Sequence, residues 1–128
     1  GAGAGIQDSA WYAGGEEPAV SAKNESWNGT SWTEVGDLNT ARYGLSGTGG
    51  SNTNGLVFGG TPPVRTNTEV WNGSSWTELA DLATARQGVA PGSSFGTTDT
   101  FAAGGYPGSV SITEEWNVDA VVSTVTTS

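Results

Sequence analysis

Residues 25–42 read ESWNGTSWTEVGDLNTAR, and residues 69–86 read EVWNGSSWTELADLATAR. The two segments agree at 13 of 18 positions. Chance does not give a match of that length, so the chain is built from a repeated unit, and the period of that unit decides the fold. Working outward, Gly14-Gly15, Gly59-Gly60 and Gly104-Gly105 stand 45 residues apart each time. Trp27, Trp71 and Trp116 follow at steps of 44 and 45, while Trp32 and Trp76, like Arg42 and Arg86, are 44 apart.

Each unit reads as four short strands. A Gly-rich segment opens it: GAGAG (1–5), YGLSGTGG (43–50) and QGVAPGSS (87–94). A hydrophobic strand ending in Gly-Gly follows, as AWYAGG, LVFGG and TFAAGG. Its last residues are apolar on both faces, the pattern of a strand covered on both sides. A third strand ends in Trp (NESW, TEVW, TEEW), and Asn-Gly then turns the chain. Asn-Gly between strand residues is a strong hairpin signal, because both residues tolerate positive φ. The fourth strand, SWTEV or SWTEL, alternates, with Trp32 and Glu34 on one face and Thr33 and Val35 on the other. A link, DLNTAR or DLATAR, leads into the next unit. The third unit differs: no Gly follows Trp116-Asn117, VVSTVTT (121–127) serves as its fourth strand, and it lacks the link, the form expected of a last unit.

Composition supports many short strands and tight turns. The chain has 128 residues, enough for one domain, with 21 Gly and only 13% charged residues. The net charge is −9, and the basic residues are Lys23, Arg42, Arg65 and Arg86. No basic footprint for nucleic acid or for an anionic membrane surface is assembled from these four. There is no Cys, His or Met, which removes disulfides, zinc fingers and His-based catalysis. No apolar run is long enough to span a membrane as a helix.

Four strands at a period of 44–45 residues indicate β-propeller blades. The whole chain, 1–128, is then a single propeller portion of three four-stranded antiparallel blades, about 1–42, 43–86 and 87–128. In sequence order, Phe58-Gly59-Gly60, Trp71, Trp76 and Arg86, and likewise Ala13-Gly14-Gly15, Trp27, Trp32 and Arg42, resemble kelch repeats. The third repeat matches through Trp116 only. Kelch repeats usually carry Tyr where Trp27 and Trp71 stand, and their aromatics lie further apart, so the resemblance is to a divergent subtype, similar to repeats in bacterial surface and phage structural proteins. It covers nearly the whole chain and implies the fold more than any ligand. Some kelch propellers are copper oxidases, but that metal centre needs His ligands and this chain has none.

Propellers typically need 4–8 blades to close a ring. Three blades call for completion, either by a second copy in a homodimeric six-bladed ring or by further blades of a longer chain. The recurrent Arg42 and Arg86, with Asp37 and Asp81, read as blade-to-blade salt bridges or as donors to buried carbonyls. The sequons at Asn24, Asn28 and Asn72 read as turn chemistry rather than glycan sites, two of them falling on the hairpin.

Positions that repeat are what every blade needs, and positions that differ are free for recognition. Gly14, Gly15, Trp27, Trp32, Arg42, Gly59, Gly60, Trp71, Trp76, Arg86, Gly104, Gly105 and Trp116 are therefore assigned to structure. The variable segments after each Gly-Gly supply the candidate contacts, Glu16, Glu17, Pro63, Arg65 and Tyr106. The functional expectation is a non-catalytic structural or binding module, extracellular or on a virion or cell surface, with a protein or glycan partner and no cofactor or metal. The alternative is a glycan-binding propeller with Tyr12 and Tyr106 as stacking platforms, and a glycoside hydrolase comes third.

Overall fold

A computed structural model describes residues 1–16, 18–79, 81–82, 84–88, 90–91, 100–105, 113–116 and 122–125. The chain is all-β, with no helix among the described residues. The first sheet holds β1 (Ala2–Ile6), β2 (Ser9–Ala13), β3 (Asn24–Trp27) and β4 (Trp32–Val35) in that order. The second holds β5 (Ser46–Ser51), β6 (Asn54–Phe58), β7 (Thr68–Trp71) and β8 (Trp76–Glu78). The third holds β9 (Ala90–Pro91), β10 (Thr100–Ala103), β11 (Thr113–Trp116) and β12 (Val122–Val125). Every pairing is antiparallel between neighbours in sequence. The strands written at the sequence level recur here within a few residues at each end.

The hairpin between the third and fourth strand of a sheet is made by its Asn-Gly. Gly29 and Gly73 sit at φ of 95° and 97°, a region that a side chain disfavours. Asn28 Oδ1 accepts from the Thr30 and Ser31 amides at 2.9 and 3.0 Å, and Asn72 Oδ1 accepts from Ser74 and Ser75 at 2.8 and 3.0 Å. The Asn side chains are thus committed to the turn, while Asn24 of the third sequon is fully buried.

The register fixes which residues share a face. On the first sheet Tyr12 lies opposite Glu25, Glu25 opposite Glu34, and Trp27 opposite Trp32, all on one face. Ala2, Trp11 and Ala13 point the other way and pack with Val57, Trp71, Trp76, Leu38 and Leu45. That cluster is the core between the first two sheets. Trp11 meets Trp76 edge-on, with ring centroids 5.4 Å apart, and its indole N–H donates to Asn54 O at 3.0 Å. It fits because the facing strands carry glycine. A Cβ on Gly55 would lie 2.5 Å from Trp11 Cε2, and one on Gly47 2.8 Å from Trp11 Cη2. The second sheet is also packed on its opposite face, where Leu56, Phe58 and Leu82 cluster with Val70 and Leu79. The first strands of the sheets lie side by side, β1 against β5 and β5 against β9.

One expectation fails at β2. Its residues before Gly-Gly read as covered on both faces, and in β6 they are, with Leu56, Val57 and Phe58 all buried. In β2 Trp11 and Ala13 are buried but Tyr12 is 46% exposed. The strand type is repeated, but the neighbour that covers it is not.

Candidate docking face

The second sheet shows what covers the face that turns toward its predecessor. The link after β4 runs back along its own sheet, where Leu38 N donates to Ala22 O at 2.8 Å and Arg42 N to Ser21 O at 3.2 Å. The Arg42 side chain then crosses to the second sheet. Its Nη1 donates to Gly59 O at 2.8 Å and Asn67 O at 3.0 Å, and its Nη2 meets Glu69 Oε2 at 3.0 Å. Both side chains of this ion pair are fully buried. Asn39 completes the arrangement, donating from its backbone and side-chain nitrogens to Glu69 Oε1 at 2.7 and 2.9 Å. Burial lowers the Arg42 pKa from its ordinary value, and the charge of Glu69 opposes that shift.

The next link repeats the path. Leu82 N donates to Thr66 O at 2.8 Å, Arg86 N to Arg65 O at 3.0 Å, and Arg86 Nη1 reaches Gly104 O at 2.8 Å. The recurrent arginines therefore act as donors to carbonyls of the following sheet, and Arg42 also forms an inter-sheet salt bridge. Its acid is Glu69, on β7, rather than Asp37 or Asp81, both of which are exposed.

The same positions on the first sheet are open. Matching the registers, Tyr12 takes the place of Val57, Glu25 of Glu69, Trp27 of Trp71 and Trp32 of Trp76. Trp71 and Trp76 are 1% and 5% exposed, whereas Trp32 is 50% exposed. The local build is otherwise alike: the rings of each Trp pair are 5.4 Å apart, and Trp27 and Trp71 donate their indole N–H to Gln7 O and Asn52 O, both at 2.9 Å. Both tryptophans of the second hexapeptide thus lie in the interior, and Trp32 of the first does not.

Two cavities mark this open face. One of about 340 Å³ is lined by Tyr12, Gly14, Glu16, Lys23, Glu25 and Glu34 among others. The other, about 240 Å³, lies between Tyr12, Glu25 and Trp32. Lys23 Nζ is 3.2 Å from Glu34 in an exposed pair, and among the described residues the Glu25 side chain makes no hydrogen bond or ion pair.

Of the five candidate contact residues, Glu16 lines the larger cavity and bridges Val20 through its backbone. Pro63 is exposed on the β6–β7 loop of the second sheet, and Arg65 there donates from Nη2 to Pro62 O at 3.0 Å. No hydrogen bond or ion pair joins Glu16 to either residue among the described residues. Glu17 and Tyr106 lie outside the described residues. Sequence reasoning missed Trp32, Glu25 and Lys23, which it left with the scaffold or unassigned. Compared with protein-family models and with curated proteins, the chain matches none.

Proposed function

We propose that this chain is a three-blade portion of a kelch-like β-propeller and works as a non-catalytic assembly module. Its contact surface is the outer face of the first sheet, which another blade covers. One observation carries the reading: Trp71 and Trp76 of the second hexapeptide are buried in the core against the preceding sheet, whereas Trp32 of the first is 50% exposed. Three successive four-stranded sheets, with their first strands side by side, fit a propeller arc. Burying large aromatic side chains is the main stabilising term at such a contact. The covering blade belongs to a second copy or to further blades of a longer chain. A virion or cell-surface setting rests on the kelch-like resemblance alone.

The test is a lengthened polypeptide in which residues 43–88 precede Gly1. The repeat then places Gly88 where Gly44 stands and Gly1 where Leu45 stands, so the added blade enters at the native spacing. The docking face predicts one cooperative urea transition at a higher midpoint than that of the 128-residue chain. An unchanged midpoint, or two separate transitions, sinks the reading.

A second reading has its own observation. Tyr12 and Trp32 flank a cavity with Glu25, and exposed aromatic faces beside a carboxylate suit a sugar, whose C–H face stacks while its hydroxyls donate. A saturable tryptophan fluorescence response to a neutral oligosaccharide, lost in Trp32→Ala, supports it. Silence across a glycan panel removes it.

A further inference from the structure

The first sheet repeats the acceptors that hold an arginine on the second sheet, and their chemistry bears on what docks there. This inference rests on the docking face above and narrows what docks there. On the second sheet the Arg42 guanidinium is held by three acceptors: Gly59 O, Asn67 O and the Glu69 carboxylate. Their first-sheet equivalents are Gly14 O, Lys23 O and the Glu25 carboxylate, and all three residues line the cavity of about 340 Å³.

The backbone there is already in the receiving form. Gly59 N donates to Asn67 O at 2.9 Å, and Gly14 N donates to Lys23 O at 2.9 Å, the same bond in the same place. Gly14 and Gly59 have φ of 74° and 69°, and Gly15 and Gly60 have 115° and 110°. Gly104 and Gly105, at 66° and 103°, repeat this turn, and there too the carbonyl accepts an arginine, Arg86. Two of the three Gly-Gly turns thus receive an arginine from the preceding link. The turn at Gly14 keeps the geometry, and Lys23 leans its ammonium toward Glu34 rather than Glu25.

We propose that these acceptors form a socket that binds the arginine of a link peptide of the Asp-Leu-x-Thr-Ala-Arg type, presented by a blade outside these 128 residues. A carboxylate with two converging carbonyls matches the planar fork of a guanidinium, which donates in several directions at once. A blade whose link ends like residues 37–42 brings the matching arginine.

The probe is the capped peptide Asp-Leu-Asn-Thr-Ala-Arg, titrated into the whole chain while backbone amide shifts are followed by NMR. The expected result is a saturable response at Gly14, Lys23 and Glu25. Glu25→Gln weakens it by about tenfold, the worth of one charge-assisted hydrogen bond. Glu34→Gln changes the local charge equally but weakens binding less than about threefold, as an exposed pair should. A peptide with citrulline in place of arginine does not bind. No saturable response, equal loss in the two variants, or equal binding by the citrulline peptide overturns the socket. A failed titration with a raised urea midpoint in the lengthened chain overturns the socket alone. Failure of both overturns the docking face as well.

Discussion

Arg42 and Glu69 show how a charge is kept inside this chain. The guanidinium donates to two carbonyls and one carboxylate oxygen, and Asn39 satisfies the other carboxylate oxygen. Removing water from two charges costs several kcal/mol per ion, and only close geometry offsets it. Breaking the pair from one side leaves a buried charge without a partner. Arg42→Met or Glu69→Leu alone is therefore expected to lower stability by about 3–5 kcal/mol, and the double variant by clearly less than the sum. Urea unfolding of the four proteins measures the coupling, and additive losses would contradict the account. The recurrence of Arg42 and Arg86 was legible in the sequence. The acid that pairs with Arg42 was not, because Asp37 and Asp81 recur just as regularly and stand closer in the chain. The available signal was the glutamate before each third-strand Trp, which repeats as Glu25, Glu69 and Glu114.

At the scale of the element, the two hexapeptides are the same hairpin in two surroundings. Local chemistry fixes the turn in both, through positive-φ Gly and a side-chain oxygen that caps two amides. Surroundings decide what the tryptophans contribute. Trp76 lies within the core that joins the first two sheets, against Trp11, whereas Trp32 faces solvent over half its surface. Trp76→Ala is expected to cost about 3–5 kcal/mol, the range for emptying a large buried site. Trp32→Ala is expected to cost less than about 1 kcal/mol, since a substitution at an exposed position touches little packing. Chemical denaturation of both variants checks this, and equal losses would contradict it. Strand order, the hairpins and the Gly-Gly turns could be read from the repeat because they depend on neighbours in sequence. The difference between the two hexapeptides could not, because it depends on whether another sheet stands alongside. The same reason explains why Tyr12 read as covered and is open.

At the scale of the molecule, the second sheet is packed on both faces and the first on one. The uncovered face gathers Tyr12, Trp32, Glu25 and Glu34 into one surface, and exposed aromatics grouped with a few charges mark interaction sites more often than scattered ones do. The variable loops after Gly-Gly, chosen from sequence as the recognition surface, contribute Glu16 to it. A net charge of −9 disfavours pairing with an acidic partner and favours one that brings a cation, as the arginine link does. The most direct measurement is the accessibility of Trp32 in the polypeptide that carries residues 43–88 ahead of Gly1. Acrylamide quenching, with Trp32→Phe counterparts used to isolate the signal of that residue, reads it in both the lengthened and the 128-residue chain. The docking face predicts that Trp32 falls from open to as protected as Trp76 when the added blade is present. Equal quenching of Trp32 in the two chains would contradict it.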